Sequence, residues 1–161
     1  MKKMKAAALM VGLSGVFMLA GGNAVAASPV TAQMKVTLNV VGSCLLEAND
    51  MDFGTHDSNE GKKIYASSIA SVTCTKDLPY KLAAISNNSY KMKGATNGGE
   101  VPYTLYSDSA YSKVLSDTEL MDGTGTGKKE SVPLYGRVMA ADLAQASVDS
   151  YSDDVTIQVT Y

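Results

Sequence analysis

From Val30 onward the chain alternates. Val30, Ala32, Met34, Val36, Leu38 and Val40 are apolar, and Thr31, Gln33, Lys35, Thr37 and Asn39 between them are polar. Successive side chains of a strand face opposite ways, so this spacing predicts a β-strand over residues 30–40 with one apolar and one wet face. At about 3.4 Å per residue it would span on the order of 35 Å. Its apolar row needs a cover. The pattern alone leaves open whether that cover is another part of the chain, as in an ordinary strand pair at the edge of a complete sandwich, or another copy.

Shorter rows follow. Residues 51–55 form a short candidate strand. Residues 68–75 place Val72 and Cys74 on one face. Tyr80, Leu82 and Ala84 alternate, as do Val101, Tyr103 and Leu105, and then Val132, Leu134, Gly136 and Val138. The last row is Val155, Ile157, Val159 and Tyr161, interleaved with Thr156, Gln158 and Thr160. Turn clusters separate these rows at residues 57–61, 86–89, 97–99 and 122–127. Only residues 140–146 look mildly helical. Many short strands with turns and no long helix predict an all-β sandwich of antiparallel strands in one domain.

The first residues add a targeting signal to this picture. Lys2, Lys3 and Lys5 precede an apolar run over residues 6–20, which ends at Gly21-Gly22-Asn23 before the small residues Ala24-Val25-Ala26-Ala27. This is the plan of a cleaved signal peptide over residues 1–27, with cleavage after Ala26 or Ala27, and its core is shorter than the ~20 residues of a spanning helix. Of 161 residues, 134 would remain as a domain spanning 28–161. The count of 14 basic against 16 acidic residues loses three lysines, leaving a net charge near −5. That sign disfavours nucleic acid as a partner. Export also bears on Cys44 and Cys74: an even count in an oxidising compartment predicts a disulfide, worth roughly 3.5 kcal/mol in the chain-entropy model.

Catalytic signals are weak. The run Gly123-Thr124-Gly125-Thr126-Gly127-Lys128 has Asp122 where a phosphate loop needs glycine, and Lys129 where it needs Ser or Thr. It reads as a hairpin loop. Asp149, Asp153 and Asp154 lack calcium-loop spacing and read as a solvated turn. His56 is the only histidine, with no nucleophile or orienting partner suggested by spacing. No metal, cofactor or enzyme activity is expected.

One order of motifs is more specific. The alternating strand ends in Gly42-Ser43-Cys44, followed by Met51-Asp52-Phe53-Gly54, Ser71-Val72-Thr73-Cys74-Thr75 and Pro79-Tyr80. Then come Val101-Pro102-Tyr103-Thr104-Leu105-Tyr106-Ser107-Asp108, Tyr135-Gly136-Arg137-Val138, and the closing run from Tyr151 to Tyr161. In this order, over essentially the whole chain after the signal, the sequence resembles the spore coat protein U family, which includes subunits of archaic chaperone–usher pili. It departs from the family at Asp149-Ser150, where a glycine is usual, at Ala141-Asp142, where a glycine-glutamine pair is common, and near Leu115, where a tryptophan is common.

The resemblance implies an incomplete immunoglobulin-like β-sandwich, completed by donor-strand exchange and closed by one disulfide between Cys44 and Cys74. A neighbour's N-terminal extension would fill a hydrophobic groove, a form of strand addition between chains. The donor segment is then residues 28–38, with Val30, Ala32, Met34, Val36 and Leu38 as its apolar row. Val40 and Val41 would enter the subunit's own sheet and lead to Cys44. Val155, Ile157, Val159 and Tyr161 would line the acceptor groove. The implied partners are other copies or related subunits, a periplasmic chaperone and an outer-membrane usher. The implied location is a surface fibre reached through the periplasm, serving adhesion and biofilm formation. The competing expectation is a secreted monomeric adhesin or carbohydrate-binding module, with tyrosines such as Tyr106 or Tyr111 stacking on sugars.

Overall fold

A computed structural model of the chain describes residues 27–161. The expected signal peptide over residues 1–27 lies, except for Ala27, outside the described residues. The chain divides after Leu38 into two units, the second running from Asn39 to Tyr161. In the first unit, residues 27–38 belong to no strand and are exposed.

The second unit is built from ten strands and one short helix. In order these are β1 (Cys44–Ala48), β2 (Ile64–Cys74), β3 (Pro79–Ser86), β4 (Lys91–Gly94), β5 (Glu100–Pro102) and β6 (Thr104–Tyr106). Then follow β7 (Met121–Thr124), β8 (Glu130–Val138), α1 (Ala140–Leu143), β9 (Tyr151–Ser152) and β10 (Val155–Thr160). All ladders are antiparallel and make three open sheets: β1-β2-β8-β6, β10-β3-β7 and β5-β4-β9.

The longest ladder joins β2 to β8, from Ile64 opposite Val138 to Val72 opposite Glu130. Alternation explains its one-sided burial. Ile64, Ala66, Ser68, Ala70, Val72 and Cys74 of β2 face inward, as do Val132, Leu134, Gly136 and Val138 of β8. From the second sheet Tyr80, Leu82 and Ala84 of β3 meet them. Cys44 pairs directly with Cys74 across β1 and β2, and their sulfurs are bonded, so the disulfide ties the edge strand to its neighbour. Ser68, the one buried polar side chain among the described residues, donates through Oγ to the Asn49 carbonyl at 2.7 Å. That bond satisfies a group that would be costly to bury alone, and it holds the chain leaving β1 against β2.

Five expectations need correction. The strand over residues 30–40 is absent: among the described residues the first strand begins at Cys44. Val40 and Val41, 70% and 73% exposed, precede the sheet rather than entering it. Alternation writes an amphipathic ribbon, but a strand also needs a ladder partner for its backbone groups. Residues 51–55 form no strand; Met51 and Phe53 instead lie over Gly136, where an added Cβ would collide with both. The row Val101, Tyr103, Leu105 is buried as expected but split between β5 and β6, because the Tyr103 amide donates to the Tyr90 carbonyl at 2.9 Å and the chain changes sheets there. Finally, the run at 122–127 is not all turn. Met121–Thr124 is β7, and Gly123 is packed so tightly on the buried Tyr80 ring that no Cβ would fit.

Candidate functional site

Two sheet edges face each other in the second unit. β1 ends one sheet and β10 ends another, and each has a ladder on one side only among the described residues. β10 presents Val155, Ile157 and Val159 inward, half-buried against the core, while Thr156, Gln158 and Thr160 face out. An edge of this kind carries a row of backbone donors and acceptors able to pair with another strand.

A groove of about 1310 Å³ opens beside β10. One wall is the loop from Ala48 to Asn59, and the other is the segment from Ala146 to Val155 continuing to Ile157. Its floor includes Ile64 together with Leu105, Leu134 and Val138, which lie in the apolar rows of the sequence. The groove thus reaches the edge of the hydrophobic core, whose floor residues stay buried, 3–6% exposed. Aromatic packing shapes the wall: Phe53 meets Tyr103 edge-on at 6.2 Å, and Tyr103 meets Tyr90 at 6.1 Å.

The polar groups around the groove position its walls. Asp153, just before β10, accepts through Oδ2 from the Tyr103 hydroxyl and from Ser86 Oγ, both at 2.6 Å. Burial, followed by that contact with Asp153, pushes the Tyr103 phenol well above its ordinary value. Asp149 Oδ2 accepts from the backbone amides of Thr96 and Asn97, each at 2.9 Å. Those donors, Asn97 first, pull the Asp149 carboxyl down to about 2. The three aspartates expected to form a solvated turn thus include two that tie the groove's wall to β3 and to the β4–β5 turn; Asp154 is exposed. On the opposite wall, His56 contacts Glu60 through Nδ1 at 3.1 Å and the Phe53 carbonyl through Nε2 at 2.6 Å. These contacts fold the loop on itself.

Of the expected acceptor row, Val155 and Ile157 line the groove. Val159 continues the row and packs on the core, and Tyr161 lies past the strand end, 60% exposed. Of the expected donor row, Val30, Met34, Val36 and Leu38 are 80–100% exposed, and Ala32 is exposed. Sequence reasoning missed Tyr103, Asp149 and Asp153 as wall-holding residues. Local spacing carried no signal for them, because their partners are 50 or more positions away. Tyr106 and Tyr111, considered for sugar stacking, join a cluster with Tyr65 and Tyr135, with centroids 4.7–5.9 Å from the Tyr111 ring. Tyr106 itself is only 3% exposed and is covered by the Arg137 guanidinium, so it offers no free face. Among the described residues no group of three or more His, Cys, Asp or Glu could hold a metal ion. No helix among them is long and apolar enough to cross a membrane.

A family model described as Spore Coat Protein U domain matches residues 30–158. A chain of the CsuC-CsuE chaperone-tip adhesion subunit pre-assembly complex, from archaic chaperone-usher Csu pili of Acinetobacter baumannii, superposes with a TM-score of 0.57 at 18% identity. The match covers 76% of the present chain and 40% of that one, so this chain spans less than half the length of that structural relative. At that identity the likeness concerns the fold. No curated protein matches the chain significantly.

Proposed function

The chain belongs to the spore coat protein U family, and from that premise we propose that it is a structural, non-catalytic pilus subunit that polymerises by strand donation. Residues 1–27 direct export and are removed. Residues 28–38 form the donor segment of a subunit spanning 28–161. Val30, Ala32, Met34, Val36 and Leu38 enter the groove of a neighbouring copy or related subunit, beside Val155, Ile157 and Val159, with Tyr161 at the groove's end. A periplasmic chaperone occupies the groove first, and an outer-membrane usher passes the subunit to a surface fibre that serves attachment and biofilm formation. The chaperone complex of the structural relative supports this sequence of partners.

The observation that carries the reading is the open groove beside the single-ladder edge of β10. It calls for a strand with alternating apolar residues, and residues 30–38 have that pattern and stand exposed. Fully burying a Val, Met or Leu side chain contributes roughly 1.5–3 kcal/mol, so four such residues give on the order of 6–12 kcal/mol gross. Ordering the extension offsets part of that. A contact between the tail of one copy and the body of the next does not close on itself, so it propagates as a filament.

The test is deletion of residues 28–38. The truncated protein is expected to remain disulfide-closed and to co-purify with its chaperone, but to form no fibres. Fibres of normal length from the truncated protein would overturn the donor assignment. A soluble, chaperone-free monomer of the full chain would favour the monomeric adhesin or carbohydrate-binding module instead.

A further inference from the structure

The β4–β5 turn carries the sequence Ala95-Thr96-Asn97-Gly98-Gly99, and its geometry is that of a reaction waiting for time. We propose that Asn97 is a site of spontaneous deamidation in the folded protein. Asn97 and Gly98 are both exposed. Gly98 has φ +68°, and apart from its chain neighbours no residue comes within 4 Å of where its Cβ would stand, so no distant part of the fold packs on it. That amide makes no hydrogen bond among the described residues. The Asn97 side-chain carbonyl accepts from the Gly99 amide at 2.7 Å. This bond fixes the side-chain amide of Asn97 against the backbone of the turn that Gly98 belongs to.

The reaction balances with water alone. The Gly98 nitrogen loses its proton to solvent and bonds to Asn97 Cγ. The leaving Nδ2 takes a proton from water, the Cγ–Nδ2 bond breaks, and ammonia departs. Water then opens the five-membered imide at either carbonyl, giving aspartate or isoaspartate at position 97. The product has a local consequence. Asn97 Oδ1 and Asp149 Oδ2 crowd the same face of Gly94, 2.5 and 2.6 Å from where its Cβ would be. The Asp149 carboxyl is held ionised by the Thr96 and Asn97 amides. Deamidation therefore sets a second negative charge against it, at the contact that fastens the groove wall to the turn, and like charges this close repel. The inference stands on the turn alone and does not depend on what fills the groove.

Asn88 provides an internal comparison. It is followed by Ser89, and its Nδ2 is engaged with the Lys91 carbonyl at 2.6 Å. The experiment incubates natively purified protein in mildly alkaline buffer and follows each asparagine by peptide mass mapping with separation of isoaspartate. Asn97 is expected to convert at least roughly tenfold faster than Asn88, since glycine leaves the attacking amide unhindered and serine does not. An Asn97→Ser variant should lose the fast-forming acidic species on ion exchange. A ratio below that, or a fast acidic species that persists in Asn97→Ser, overturns the proposal.

Discussion

The Tyr103 hydroxyl donates to Asp153 Oδ2 at 2.6 Å, joining a residue of the groove wall to the turn that opens β10. The same carboxylate oxygen takes Ser86 Oγ, so one acidic side chain holds the end of β3, the crossover at Tyr103 and the start of the edge strand together. Hydrogen bonds to charged groups contribute about 1.5–3 kcal/mol each. Tyr103→Phe keeps the ring and its packing on Phe53 and removes only the hydroxyl. The variant is expected to lose about 1.5–3 kcal/mol against denaturant, measured on the purified protein. An unchanged midpoint would show that the bond does not hold the wall.

The glycine of the Tyr135-Gly136-Arg137-Val138 motif is explained by what lies on it. Met51 and Phe53 occupy the space of an added side chain. Gly136→Val should displace both from the groove wall, with an overpacking cost of about 1–3 kcal/mol. Yield of soluble protein should fall, and thermal unfolding should move down in temperature. A Gly136→Val subunit as stable as the parent would contradict the placement of the 48–59 loop.

Asp149 makes a prediction about acid. Its carboxyl is lowered from the ordinary 3.8 to about 2 in the folded chain. A depressed folded value means that the unfolded chain binds the proton first as pH falls, so the contribution is complete above about pH 4 and is lost as pH drops through about 2. The stability difference between the parent and Asp149→Ala should therefore be flat from neutral pH to near 4 and then shrink. Denaturant midpoints across that range test it, and a difference that disappears between pH 7 and 5 would contradict it. The residue is only half-buried, so added salt should reduce the effect.

Removing the disulfide addresses the edge at β1. Cys44 and Cys74 stand opposite each other where β1 begins and β2 ends. The double variant Cys44→Ser, Cys74→Ser is expected to lose about 2–5 kcal/mol, and its exported yield should fall while any folded fraction keeps the groove. Equal yield and equal thermal stability would show that the bond is dispensable.

The parts of the fold legible in sequence are those where one strand face is buried along its full length. The rows of β2, β3, β8 and β10 alternate because each faces a single core, and burial follows the pattern except at Ala83, which is buried beside Leu82 and Ala84. The short strands β4, β7 and β9 were not legible. Lys91–Gly94 and Tyr151–Ser152 are too short to show a period, and Met121–Thr124 overlaps a glycine run that otherwise signals a turn. Their strand character comes from partners distant in sequence, as Gly123 opposite Tyr80 shows. The N-terminal ribbon fails in the opposite sense: its pattern is the cleanest in the chain, yet residues 30–40 form no strand, because period alone supplies no ladder. The edge role of β10 could be read from its row and from the family resemblance. The groove floor could not, since Ile64, Leu134 and Val138 carry the same signature whether a core is closed or open.

Strand donation between copies is tested most directly by trapping it. Cells would co-express two variants, one with cysteine replacing Met34, Val36 or Leu38 in turn, the other with Ile157→Cys. If the ribbon of one subunit fills the groove of the next, fibres will contain a disulfide joining the two different chains for at least one of the three positions. Failure of all three to form that bond, with an intrachain disulfide appearing instead when both cysteines are placed in one chain, would contradict the account.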